Sequence, residues 1–207
     1  MKKIILASKS PRRHEIMNLA GIDHTVVVPE VDESTVSYSG DAEKYVSELS
    51  KLKSAALTEQ LKADEYRTKF DLSNIITVSA DTVVFMSQMP HPLGKPKNFD
   101  EACEMLRVLS GTHHHVLTGV TIRENPTFGG SEITFVEDTK VFFRKLSEGE
   151  ISDYVKKTEP YDKAGAYGIQ DKACVFVSRL EGDYYNVMGL PVCRLYAELE
   201  KFGYSCI

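Results

Sequence analysis

Cysteine is scarce in this sequence and shows no paired pattern. Its four residues, Cys103, Cys174, Cys193 and Cys206, form neither a C-x-x-C nor a zinc-type spacing. That excludes a disulfide framework and a zinc module, and it fits scattered thiols in a reducing compartment. Long apolar runs are missing as well. The opening MKKIILASKSP has too short an apolar part for a secretory signal, and nothing approaches a membrane span of about 20 apolar residues. The expectation is a soluble, cytoplasmic protein with no membrane partner. Positive charge is in deficit, with 25 Lys and Arg against 30 Asp and Glu for a net charge of −5. A broad basic face for nucleic acid is therefore excluded, and any phosphate chemistry needs a local cationic pocket. Neither G-x-x-x-x-G-K-[ST] nor G-x-G-x-x-G occurs, no Ser–His–Asp order or Cys–His pair is legible, and there are no repeats or low-complexity tracts.

What is present is ordinary globular material, 42% hydrophobic and 27% charged over 207 residues. KIILA (3–7) predicts a buried strand and HTVVV (24–28) a second one. Between them Ser10 reads as a helix N-cap, Pro11 as the first helical residue and Gly21 as the stop. Residues 41–61 predict a long helix whose apolar arc is Tyr45, Val46, Leu49, Leu52 and Ala56, with Lys53 inside it. Residues 62–73 are charged and aperiodic, hence a surface linker. NIITVSADTVVFM (74–86) reads as a strand interrupted by Ser79, Ala80 and Asp81. A helix follows over FDEACEMLRVLSG, then antiparallel strands in 115–124 and 131–146, then a helix opened by a Ser147–Glu150 capping box. Residues 159–173 read as a loop, 174–187 as a hairpin turning at Glu181-Gly182-Asp183, and a last helix starts near Pro191. Strands alternating with helices, plus hairpins, predict an α/β fold with a mixed sheet and flanking helices, in one domain of two lobes.

The chemistry begins with LASKSPRRHEI. Arg12 and Arg13 fall in the first helical turn, where the backbone's partial positive charge disfavours cations. They make sense if an anion sits there, because N–H groups and guanidiniums then attract one ligand. Ser8 and Ser10 fit a phosphate cradle; the alternative is a pair of solvated arginines. Asp81, in an apolar strand, is costly to bury unpartnered and reads as a general base or metal ligand, or else as an Asp turned outward. Glu30, Asp32 and Glu33 on the loop after the second strand read, taken alone, as a solvated acidic loop; beside a polyphosphate they would need a divalent cation, and Mg²⁺ suits one or two carboxylates plus phosphates. Lys53 is a candidate cation or a snorkelling side chain. Lys95 sits in a rigid LGKPK turn. The run His113–His115 alternates faces of a strand and reads as structural.

LASKSPRRHEI, VDES, SADTVV, LGKP, LSGTHHHVLTGV, EPYDKAGAYGIQ and GDYYNVMGLP, in that order, resemble the Maf family of nucleoside triphosphate pyrophosphatases. The resemblance runs from residue 4 to about residue 199. It implies a fold similar to the inosine triphosphate pyrophosphatases, with two lobes around a deep cleft and a homodimer. It also implies cleavage between the α and β phosphates with Mg²⁺ or Mn²⁺, as part of nucleotide-pool house-cleaning. By motif position Ser8, Arg12, Arg13, Lys53, Thr82 and Gln170 match substrate-binding residues. Asp81, Lys95 and Glu33 match catalytic ones, with Glu33 and Asp81 as metal ligands. DKAGAYGIQ followed by YYNVMGLP is similar to the branch acting on dTTP and UTP. The rival expectation is a non-catalytic nucleotide-binding regulator of cell division, which needs the cations but not the carboxylate base.

Overall fold

The computed structural model describes residues 2–206. The chain divides into two compact units. The first takes the chain up to Asp81, then Thr118–Val136, then Gly189 onward; the second takes Thr82–Leu117 and Glu137–Met188. The strands are β1 (Lys3–Ala7), β2 (His24–Val26), β3 (Ile75–Phe85), β4 (His113–Glu124), β5 (Glu132–Phe143) and β6 (Val177–Glu181). They are hydrogen-bonded in the order β2-β1-β3-β4-β5-β6. The sheet is mixed: β1 runs parallel to β2 and β3, with Leu6 opposite Val26 and Val78, and β6 runs antiparallel to β5. Parallel neighbours require crossovers, and helices supply them. They are α1 (Pro11–Leu19) between β1 and β2, and α2 (Ala42–Gln60) with the short α3 (Asp64–Lys69) between β2 and β3. No helix among the described residues is long and apolar enough to cross a membrane.

In the first unit Ile5, Ala7, Val27, Leu57, Leu61, Phe70, Leu72 and Ile75 form a buried cluster. Phe70 and Leu72 correct the expectation of a surface linker. The charged residues of 62–73 cover α3, while two apolar side chains behind it complete the core. The buried face of α2 also departs from the expected arc. Val46 and Leu49 are buried, but the rest of that face is Ala42, Ser50, Ser54, Leu57 and Thr58. Under it β3 runs unbroken through Ser79, Ala80 and Asp81. Helix and sheet approach so closely at Gly119 that a Cβ there would stand 2.5 Å from the Val46 carbonyl oxygen. Only glycine admits that contact.

The second unit holds α4 (Phe99–Leu109), α5 (Glu148–Thr158) and α6 (Tyr184–Met188). α5 opens with the expected capping box, Ser147 Oγ accepting from the Glu150 N–H and the Glu150 carboxylate accepting from the Ser147 N–H. Its core includes Leu106, Val116, Val141, Phe143, Val155, Tyr167 and Phe176. His114 is fully buried there, hydrogen-bonded through Nε2 to the Tyr167 hydroxyl at 2.7 Å and edge-on to Phe143. Burial, with a smaller push from His115 and His113, drives its pKa down to about 3, so it is neutral. The expected hairpin over 174–187 does not form. Lys172–Val175 is a 3₁₀ turn, β6 pairs with β5, and α6 stands where the return strand was expected. The last helix, α7 (Val192–Lys201), follows Pro191 in the first unit.

Candidate active site

The start of α1 is built from the sequence outward. Ser10 is extended at the N-cap and Pro11 takes N1, as its fixed φ favours. The Ser10 N–H donates to Ser8 Oγ at 3.2 Å, which turns the chain out of β1. Arg13 then folds back across this turn. Its Nη1 donates to Ser8 Oγ at 3.1 Å and its Nε to the Gly189 carbonyl at 2.7 Å, leaving the residue 8% exposed. A guanidinium that deep is expensive. Burial lowers its pKa and neighbouring Arg12 lowers it further, while Asp81 and Glu33 oppose both. The two arginines at a positively polarised helix end are thus offset by two carboxylates.

Those carboxylates meet at Lys53. Its Nζ lies 3.0 Å from Glu33 Oε1 and is also hydrogen-bonded to Asp81 Oδ1. Lys53 and Asp81 are sheltered, with side chains 12% and 14% exposed, while Glu33 is half open at 51%. Two cations, Arg13 and Lys53, therefore share one cluster with two acids, and Arg12 is near enough for its charge to act on Arg13. Glu33 is presented by a 3₁₀ turn, Glu33–Thr35, whose cap is Asp32, accepting from Ser34 N at 3.0 Å and Ser34 Oγ at 2.7 Å. These two bonds hold the Asp32 carboxyl below its usual range. Asp32 is thereby occupied with the turn. Tyr45, which the sequence places only on the apolar arc of α2, borders the cluster. Burial raises its hydroxyl's pKa, and Asp81 and Glu33 raise it further, so it stays a phenol at neutral pH. The Tyr38 ring packs edge-on against it at 5.6 Å. The arrangement can bind an anionic chain, hold a hard cation through two carboxylates, and accept a proton at Asp81. Among the described residues no group of three or more His, Cys, Asp or Glu gathers as a metal site. Other oxygens on a cation here would come from ligand or water.

Thr82, Lys95 and Gln170 belong to the second unit. Lys95 is exposed on its turn, which is tied to the Gly-rich loop by the Gly165 N–H donating to the Gly94 carbonyl at 3.0 Å. Gly165 has φ +68°, and a Cβ there would press on the Val84 side chain at 3.0 Å. Gln170 is exposed and adjoins Asp171, whose Oδ1 accepts from the Ala173 N–H at 2.9 Å and the Tyr154 hydroxyl at 3.1 Å. The Tyr154 oxygen accepts from the Gly168 N–H at 3.3 Å, so the loop is pinned on both sides of Gln170.

The architecture is that of the HAM1-type α/β fold. A HAM1 protein from Coxiella burnetii superposes with a TM-score of 0.54 over 97% of this chain and all of its own, at 13% identity. Residues 3–202 match the family described as Maf-like protein, and the chain belongs to that family. A protein from Lachnoclostridium phytofermentans is 46% identical over 100% of this chain and 98% of its own length. One from Bacillus cereus is 46% identical over 98% and 96%, and one from Geobacillus sp. is 44% identical over 99% and 100%. All three are named dTTP/UTP pyrophosphatase.

Proposed function

We propose that this chain is a nucleoside triphosphate pyrophosphatase that cleaves dTTP and UTP to the monophosphate and pyrophosphate. The observation that carries the reading is the buried Arg13 clamped beside the Lys53–Asp81 pair at the start of α1. A buried guanidinium with a sheltered acid next to it suits an anionic substrate that must also lose a proton from its attacking water. Arg12, Arg13 and the first N–H groups of α1 hold phosphate oxygens, with Ser8 fixing the Arg13 fork. Asp81 accepts the proton of the water attacking the α-phosphorus, and Lys53 holds that carboxylate in position. Glu33 and Asp81, two hard oxygen donors converging on one ammonium, fit a divalent ion such as Mg²⁺ or Mn²⁺. When bound, that ion would neutralise phosphate oxygens and the leaving pyrophosphate. By motif position Lys95 adds a cation for the phosphate chain, and Thr82 and Gln170 govern the choice of base. An amide side chain suits a pyrimidine, which offers one acceptor and one donor at its O4 and N3–H. The reading extends to a cytoplasmic homodimer that clears nucleotide pools.

The test is a panel of nucleoside triphosphates with Mg²⁺ and chromatography of the products. Uridine or thymidine monophosphate plus pyrophosphate is expected; a diphosphate plus orthophosphate, or no turnover, refutes the reading. Asp81→Asn separates enzyme from sensor, since a pure nucleotide sensor has no use for that base.

A further inference from the structure

We propose that Ser79 is a positioning residue for the reaction. Its buried hydrogen bond to the carbonyl of Ser50 ties β3 to α2 one step inside the Asp81–Lys53 pair and sets the geometry of that pair. The proposal rests on the reading of Asp81 as the base.

Side chains alternate along a strand, so Thr77, Ser79 and Asp81 share the face of β3 that lies under α2. On that face Ser79 Oγ donates to the Ser50 carbonyl at 2.8 Å and approaches the Thr121 carbonyl at 3.3 Å. Ser50 and Ser79 are at most 1% exposed, so no solvent replaces this bond if it is lost. Two residues further along the strand is Asp81, and three further along the helix, just under a turn, is Lys53. The next contact between the same two elements is therefore the ion pair itself. Lys53 rides on a flexible four-carbon stem and is shared with Glu33 on a surface turn. Neither partner alone can hold Asp81 to a fixed place, whereas a short buried bond from the Ser79 hydroxyl on the strand to the Ser50 carbonyl on the helix can.

The proton positions around Ser79 are consistent with a fixed latch. Ser50 Oγ donates to the Ser47 carbonyl at 2.8 Å, so the Thr121 hydroxyl, 2.9 Å away, donates to Ser50 Oγ. The Thr134 hydroxyl, 3.0 Å from Thr121, then donates in its turn. Along Thr134, Thr121 and Ser50 each hydroxyl proton has an acceptor, and the Ser79 proton goes to the Ser50 carbonyl, the nearer of its two. The sequence hides this, because serine in the middle of SADT reads as a break in the strand.

The experiment measures kcat and KM for UTP with Ser79→Ala, Ser79→Cys, Ser79→Thr, Thr134→Val and Asp81→Asn, each checked for native circular dichroism. A misplacement of the base by a fraction of an ångström to an ångström lowers kcat by about 10–100-fold. Ser79→Ala is expected to show that loss with KM changed by less than about threefold, the signature of an effect on the reacting geometry. Ser79→Cys, a weaker donor of similar volume, falls between, and Ser79→Thr, which keeps the hydroxyl, restores most of kcat. Thr134→Val, at the far end of the row, leaves kcat unchanged. In a Lys53→Met background Ser79→Ala costs less than in the native one, because the pair it positions is already broken. Should Ser79→Ala not fold, the Cys and Thr variants still order kcat by donor strength. Wild-type kcat in Ser79→Ala or Ser79→Cys beside an inactive Asp81→Asn overturns the positioning role alone. An active Asp81→Asn overturns the base assignment and the positioning role together.

Discussion

The two units spend their buried space differently. The first packs α2 on the sheet through hydroxyls and carries buried or sheltered charges at Arg13, Lys53 and Asp81. The second is an aromatic core in which Phe143, Tyr154, Tyr167 and Phe176 meet edge-on at ring separations of 4.9–6.1 Å, with the neutral His114 among them. Hydrogen bonds fix distance and direction atom by atom, whereas edge-on rings exclude water and resist collapse. The charged cluster is therefore held by directional bonds in the first unit. In the other, the loop bearing Gln170 is held by packing together with a few bonds centred on Tyr154 and Asp171.

Four measurements break or sharpen this contrast. The largest effect is expected for Asp81→Asn, a fall in kcat of at least ~100-fold with nucleotide binding retained, read by kinetics and calorimetric titration. Gly119→Ala comes next. Its methyl would press on the Val46 backbone rather than on a side chain that can turn, so a loss of ~1–3 kcal/mol in chemical denaturation is expected. Gly165→Ala, meeting only the Val84 side chain but strained at φ +68°, should cost less than Gly119→Ala. A reversed order would put the rigid packing in the second unit.

The third measurement is pH dependence. His114 has a folded-state pKa pushed to about 3 against an ordinary value of 6.5. Between those values the unfolded chain binds the proton and the folded one does not, so folding stability rises with pH across that window. The contribution is complete above about pH 6.5 and is lost as acidity approaches pH 3, with a slope of at most ~1.4 kcal/mol per pH unit. His114→Gln should flatten that part of the stability profile, and an unchanged acid slope would show that another group carries it. The smallest effect is expected at Glu33, half exposed and one of two carboxylates on Lys53. Glu33→Gln should raise the Mg²⁺ concentration needed for half-maximal rate by about tenfold, the low end of what loss of a partner at a metal site costs, because Glu33 is half open to water. No change would leave Asp81 as the sole carboxylate contact.

Local signals were read well from the chain, and long-range ones poorly. Pro11, the Ser147–Glu150 box and the apolar run of β1 act within a few residues, and each element stands where they point. Glu33, Lys53 and Asp81 were each singled out, yet nothing in one dimension says that a lysine in a helical arc is the partner of both acids. The hydroxyl row was invisible for the same reason. Ser50, Ser54 and Thr58 look like a solvent face until a strand of Thr77 and Ser79 is laid beneath them. The missing hairpin failed on pairing, since β6 found β5 rather than a neighbour in sequence. Charge at 62–73 masked Phe70 and Leu72, whose burial depends on α3 folding over them.

The bond from Arg13 to the Gly189 carbonyl joins residues 176 positions apart. During synthesis the guanidinium is made early and its acceptor only after the whole second unit. Until then the nascent guanidinium has its Ser8 partner within reach but not this carbonyl. The turn at the start of α1 is therefore locked only once residue 189 has been added, so its final geometry is a late event in the life of the chain.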